Sequence, residues 1–140
     1  MASFVKFNTF VEALGRKVHN LNADTLKVVL TNAAPTPSTD DQLADITQIS
    51  NGNGYTTGGT AAASNAYSQT SGTAKLTAND VVFTASGGSM GPFRYAVLYN
   101  DTAAGDELIG YWDYGSSITL ANGETFTVDF DGTTGILTNA

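Results

Sequence analysis

Glu107 and Asp113 stand six residues apart, beside Tyr111, Trp112 and Tyr114. Acids next to aromatic rings are the equipment of a glycoside hydrolase, which needs two carboxyl groups about 5–9 Å apart across the sugar. On one extended strand these two lie ~20 Å apart, so a second acid would have to come from elsewhere. The chain has no cysteine, and His19 is its only imidazole. Any Ser–His–Asp arrangement therefore rests on one residue, set between Val18 and Asn20 at the approach to a strand, and it reads as structural. Gly87-Gly88-Ser89-Met90-Gly91 is set aside as a nucleophile elbow, because Ala85 to Pro92 reads better as a flexible strand connection. Asp129-Phe130-Asp131-Gly132 resembles the start of a calcium loop but lacks flanking helices and the distal glutamate. Asp101 and Asp106 bracket Thr102 and read, like that segment, as a solvated acidic turn. No lysine follows the glycines of 51–59, so no phosphate-cradling loop is present. The expectation is a protein with no catalytic, cofactor-binding or metal-binding residues.

The elements behind these groups are short and mostly extended. At 140 residues the chain has room for one domain, and 14% charged residues is well below the ~25% usual for a soluble domain. Thr, Ser, Asn and Gly take the place of charge, a mixture that favours strands and tight turns. Thr9-Phe10-Val11-Glu12 fits a capping box, opening a helix of at most two turns that Gly15 ends. Leu26, Val28 and Leu30 alternate with Lys27 and Thr31, the period of a half-buried strand. Pro35, Pro37 and a run of acids interrupt any ladder, with a short turn of helix possible at Leu43–Ile49.

From residue 60, strands are expected at 60–68, 73–77, 80–86, 93–100, 107–114, 117–121, 124–130 and 135–138. Asn122-Gly123 predicts a type I′ turn, after which Phe126, Val128 and Phe130 face inward. Phe93–Tyr99 and Leu108–Trp112 are apolar on both faces, as central or interface strands are. The fold class that follows is all-β, an antiparallel β-sandwich of jelly-roll or Greek-key type with a short N-terminal helix or arm. Residues 1–24 form the arm, and 25–140 the sandwich with a long loop at 33–59.

Net charge is -7, which argues against direct binding of nucleic acid. Lys6, Arg16, Lys17 and Lys27 nevertheless gather in the first 27 residues with only Glu12 and Asp24, while eleven acids face Lys75 and Arg94 in the rest. A basic arm on an acidic body suits docking onto an acidic partner or a sister copy. Met1 to Phe10 lacks the apolar run of a signal peptide, and no membrane span is expected. The glycine-rich stretch Asn51 to Gly59 is expected to meet another chain, with Tyr55 at the interface. Trp112, Tyr95 and Tyr99 are assigned to the core.

Several segments carry a resemblance. They are Phe7-Asn8-Thr9-Phe10-Val11-Glu12, His19-Asn20-Leu21, Asp24 to Asn32, Asn53 to Gly59, Gly91 to Asp101, Leu108-Ile109-Gly110-Tyr111-Trp112-Asp113-Tyr114-Gly115 and Gly123 to Phe130. Together they resemble the cement, or decoration, proteins of tailed-bacteriophage capsids. The resemblance implies a jelly-roll sandwich made in the host cytoplasm, which joins the outer capsid surface of the virion and contacts the major capsid protein. It also implies a homo-oligomer, a dimer across a local two-fold axis, with no cofactor. It transfers no binding motif by position. The residues themselves nominate Lys6, Arg16 and Lys17 to reach an acidic shell, with Tyr55 and Tyr67 as aromatic anchors. The aromatic group Tyr111, Trp112 and Tyr114 leaves a second reading open, a carbohydrate- or receptor-binding module of a phage tail or fibre.

Overall fold

Strand β2 (Leu26–Thr31) pairs antiparallel with the C-terminal part of β7 (Met90–Asn100), from Leu26–Asn100 to Thr31–Tyr95. The computed structural model describes residues 2–140. Around that pair a five-stranded sheet forms in the order β1-β8-β7-β2-β3, adding β1 (Phe4–Lys6), β8 (Leu108–Leu120) and β3 (Thr60–Ala61). Two smaller antiparallel sheets complete the structure. One runs β10-β5-β4, from Leu137–Asn139, Thr73–Thr77 and Ala66–Thr70; the other pairs β6 (Val81–Thr84) with β9 (Thr125–Val128). The fold is an all-β antiparallel sandwich with one short helix.

The main core follows from the period-two pattern. Leu26, Val28 and Leu30 share it with Phe93, Ala96, Leu98, Ile109 and Trp112, and meet Leu76, Val81, Phe83, Val128 and Leu137 of the smaller sheets. Val29, Val97 and Tyr99 point the other way, where a second cluster with Phe7, Ile46 and Leu108 buries them. Its cover is the 33–59 loop, through Ile46 and the 3-10 turn Leu43–Asp45. That explains why the central strands are apolar on both faces. Burying a side chain of this size contributes about 1.5–3 kcal/mol, which ties the loop to the sheet.

Four expectations are corrected. First, the helix α1 (Asn8–Gly15) begins before Thr9 and has no side-chain cap. Phe7 is still in the ladder, its N–H donating to the Ile109 carbonyl, and the Pro37 carbonyl accepts from Asn8 N–H at 3.0 Å. A tertiary acceptor thus replaces the capping box, and Glu12 pairs with Arg16 instead, at 3.5 Å. Second, the helix does end at Gly15, but Gly15 is not the left-handed residue that caps it. Lys17 takes the left-handed position at φ 70°, with Lys17 N–H bonded to Leu14 and Val18 N–H to Ala13. This is a Schellman motif with lysine where glycine is usual.

Third, Asn122-Gly123 does turn the chain, but only Gly123 has positive φ (88°), so the turn is not type I′. It passes the chain from β8 to β9 in a different sheet, where β9 pairs with β6. Two-residue turns with both central φ values positive lie instead at Asn53-Gly54, where Gly52 and Tyr55 exchange backbone hydrogen bonds, and at Ser71-Gly72, which joins β4 to β5. Fourth, the strands expected at 107–114 and 117–121 are one, β8. Gly115 at φ 86° lets the strand bulge between the Tyr95–Asp113 and Phe93–Ile118 pairs without ending.

Candidate functional site

The Schellman turn brings Lys17 to the rim of a cleft of about 390 Å³. Leu14, Val18 and Leu21 line its apolar side, and Tyr67 of β4 faces it beside Thr102 and Ala103. Two of the residues nominated from the sequence, Lys17 and Tyr67, therefore share one concave surface.

The floor of the cleft is a hydrogen-bond network centred on Asn100, which is wholly buried at the end of β7, and it leaves only the buried His19 Nε2 without a partner among the described residues. Its Oδ1 accepts from the N–H groups of Thr102 and Ala103, at 2.9 and 3.2 Å. This fixes the orientation of the amide, so Nδ2 donates to Asp24 Oδ2 at 2.7 Å and to His19 Nδ1 at 3.1 Å. A donor facing Nδ1 requires the neutral tautomer with its proton on Nε2. Asp24 Oδ2 also accepts from Asn20 N–H at 2.8 Å, and Thr25 N–H donates to Thr102 Oγ1. Asn65 Nδ2 holds the carbonyls of Leu21 and Asp24, and Asn22 Oδ1 accepts from Tyr67 N–H at 3.1 Å. The turn from residue 20 to 25 is thus fastened to β7 and β4, and Tyr67 is presented from a braced backbone.

His19 is buried with its ring 5.2 Å from that of Phe10. Burial holds its pKa below the ordinary histidine value, against the opposing pull of Glu107 and Asp24. Because the folded pKa is the lower one, the unfolded chain binds more protons below about pH 6.5. Stability from this group is complete above that pH and falls on acidification, by up to about 1.4 kcal/mol per pH unit for one proton. Urea midpoints should fall as the pH is lowered through the near-neutral range in the wild type and flatten over that window in His19→Gln.

Lys17 supplies a second expectation. A left-handed L-residue carries about 1–2 kcal/mol of strain, and glycine loses more chain entropy on folding, so Lys17→Gly should stabilise by about 0.5–1 kcal/mol. Thermal or urea unfolding of the variant checks this.

The other nominated residues lie elsewhere. Lys6 is exposed and borders a small separate recess with Phe10 and Leu137. Arg16 is exposed beside Glu12 at the cleft of Asp41 and Glu107. Tyr55, expected at an interface, is 2% exposed. Its hydroxyl donates to Gln48 Oε1 at 2.7 Å and accepts from Leu30 N–H at 3.3 Å, and burial pushes its pKa up to about 12. The glycines around it are what make this burial possible. Gly54 and Gly59 have positive φ and approach the carbonyls of Thr84 and Val28 closer than any side chain would permit.

Most of the residues weighed for chemistry are engaged structurally, whereas Glu107 keeps a buried Oε2 with no hydrogen-bond partner among the described residues. Arg94 grips Asp113 through two hydrogen bonds, at 2.8 and 3.1 Å, which holds that carboxyl below the usual range. Asp131 caps the N–H groups of Thr133 and Thr134, and Asp101 pairs with Lys27 at 3.2 Å. Ser89 lies between two strands, with no helix following to form an elbow. Trp112, Tyr95 and Tyr99 are buried. Trp112 packs between Phe4 and Phe130, and Tyr114 meets Phe126 edge-on, while Tyr111 lies on the opposite face against Phe7. The three neighbouring aromatics do not form one platform for a sugar.

Asn100 and Asp24, the organisers of the floor, were not singled out by the sequence. Asn100-Asp101 reads only as a strand end, and nothing local announces a partner 76 positions away. Among the described residues no three His, Asp or Glu side chains gather as a metal-binding group, and no helix is long and apolar enough to cross a membrane. No protein-family model, no curated protein and no solved structure matches this chain.

Proposed function

We propose that this chain is a capsid decoration protein of jelly-roll type. It binds the outside of a tailed-phage shell and stabilises it by bridging major capsid proteins, as a dimer across a local two-fold axis. The cleft of Lys17 and Tyr67 is its docking face. One observation carries this reading: Lys17 occupies a left-handed position that glycine fills at lower cost, and the strain places an ammonium at the rim of a cleft with a braced floor. Five of the described non-glycine residues take positive φ, and Lys17 is the basic one among them and the one set at a helix end beside the cleft; strained positions of this kind cluster at functional sites. Tyr67 adds an amphipathic ring of the kind that anchors protein interfaces. Modest contacts suffice, since many copies act on one shell and bridging multiplies each of them.

The test is co-sedimentation of the purified protein with expanded shells assembled from the cognate major capsid protein. The wild type is expected to pellet with the shells and raise their resistance to heat. Lys17→Gly and Tyr67→Ala should each weaken binding by about tenfold, as loss of an anchoring contact does, with the glycine variant folded more stably than the parent. Wild-type protein that stays in the supernatant overturns the proposal. Unchanged affinity in both variants overturns the assignment of the cleft.

A further inference from the structure

Three Asn-Gly pairs occur in the chain, Asn51-Gly52, Asn53-Gly54 and Asn122-Gly123. In such a pair the glycine nitrogen can attack the preceding carboxamide carbon, because no glycine side chain obstructs its approach. The reaction starts when hydroxide removes the N–H proton, so an N–H already committed to a hydrogen bond resists it. By that measure the three pairs differ. Gly52 N–H donates to the Tyr55 carbonyl at 2.7 Å, and Gly123 N–H to the Ala85 carbonyl at 2.8 Å. Their asparagines are also held by Oδ1, which accepts from Thr57 N–H in one case and Gly87 N–H in the other, both at 2.9 Å. Gly54 N–H makes no hydrogen bond among the described residues. Asn53 is exposed, and its side chain is restrained through Nδ2 alone, which donates to the Ser89 carbonyl at 2.9 Å.

We propose that Asn53 is a site of spontaneous deamidation, and that the conversion unfastens the 51–59 loop from the connection between β6 and β7. The deprotonated Gly54 nitrogen bonds to Asn53 Cγ, the Cγ–Nδ2 bond breaks, and ammonia leaves carrying a proton from water. Water then opens the five-membered imide at either carbonyl, giving aspartate or its β-linked isomer. One water is consumed and one ammonia released, with no change of oxidation state. The site matters because Asn53 is the clasp between the two segments. Besides its bond to Ser89, its own carbonyl accepts from Ser86 N–H at 3.1 Å, and its carboxamide fills the space beside Gly88. A carboxylate has no N–H to offer Ser89, so an attraction becomes a repulsion between oxygens.

The experiment incubates the intact protein in warm, mildly alkaline buffer and follows each asparagine by peptide mass spectrometry with fragmentation that separates residues 51 and 53. Asn53 should convert at least about fivefold faster than Asn51 and Asn122, a factor within reach of one hydrogen bond, and the three rates should converge in guanidinium. Asn53→Gln, which cannot close a five-membered ring, should stay unconverted. Asn51 or Asn122 reacting as fast as Asn53 in the folded protein overturns the site. For the clasp, Asn53→Asp should speed hydrogen exchange at the Ser86 amide, and an unchanged Ser86 rate overturns that part.

Discussion

Tyr55→Ala should lose about 3–5 kcal/mol of folding stability, the cost of removing a large buried aromatic side chain. That is a large share of the 5–15 kcal/mol that holds a domain of this kind. The ring lies 6.0 Å from that of Phe83 in a stacked arrangement and belongs to the main core. Its hydroxyl links β2 to the loop, bonded on one side to Leu30 N–H and on the other to Gln48. Tyr55→Phe keeps the packing and should cost about 1–2 kcal/mol, because Leu30 N–H is left buried without an acceptor. Gln48 retains its bond from Gly58 N–H, which limits the loss. Denaturant midpoints read both variants. An alanine variant within about 1 kcal/mol of the parent would place the ring at the surface, where its loss is felt in association instead.

Asn100→Ala carries the second large effect, about 3 kcal/mol, since it strands several polar groups at once. The N–H groups of Thr102 and Ala103 lose their acceptor, and Asp24 and His19 lose their donor. Asn100→Leu conserves volume and should be nearly as costly, which separates lost hydrogen bonds from a cavity. Asn100→Asp makes a sharper test. Its second oxygen faces His19 and Asp24, so the imidazole is drawn to take a proton and its pKa should rise above the ordinary value. The linkage then reverses. Stability from this group is complete at pH below the unfolded pKa and is lost as pH rises through the raised folded pKa. With a single imidazole in the chain, its NMR titration is read without overlap. A titration that stays below the ordinary histidine range in the aspartate variant would show that Asn100 Nδ2 does not face the ring.

What could be read in advance, and what could not, follows the range of the forces involved. Strand β5 announces itself because one buried face imposes a period of two within a few residues, whereas β2 shows its inward set Leu26, Val28 and Leu30 in that period but is not the half-buried strand expected, since Val29 and Thr31 on its other side are buried too. The inward set Phe126, Val128 and Phe130 is legible for the same reason, as is the burial of Trp112. Tyr55 was misplaced because Asn-Gly-Asn-Gly reads as a solvent loop, whereas here the glycines serve close backbone approach. The double apolar face of β7 suggested either a central position or an interface, and the cover supplied by the 33–59 loop decides for the first. Lys17 as a helix terminator has no local signature at all. Gly15 competes for the position on propensity, and the choice is made by where Val18 and His19 must go to reach the core. Asn100 is further still from view, since its partners come from the turn before β2 and the loop after β7.

The loop that caps the outer face of the five-stranded sheet has a calorimetric consequence. With both faces of that sheet covered, only Val5, Val11 and Val82 among the described large hydrophobics are exposed. A partner that engages the cleft therefore removes only the limited hydrocarbon of Leu14, Val18, Leu21 and Tyr67 from water, and the heat capacity of association should change only slightly. Its temperature profile would be nearly straight, and binding would retain its strength in the cold, where attachment through an oily face weakens.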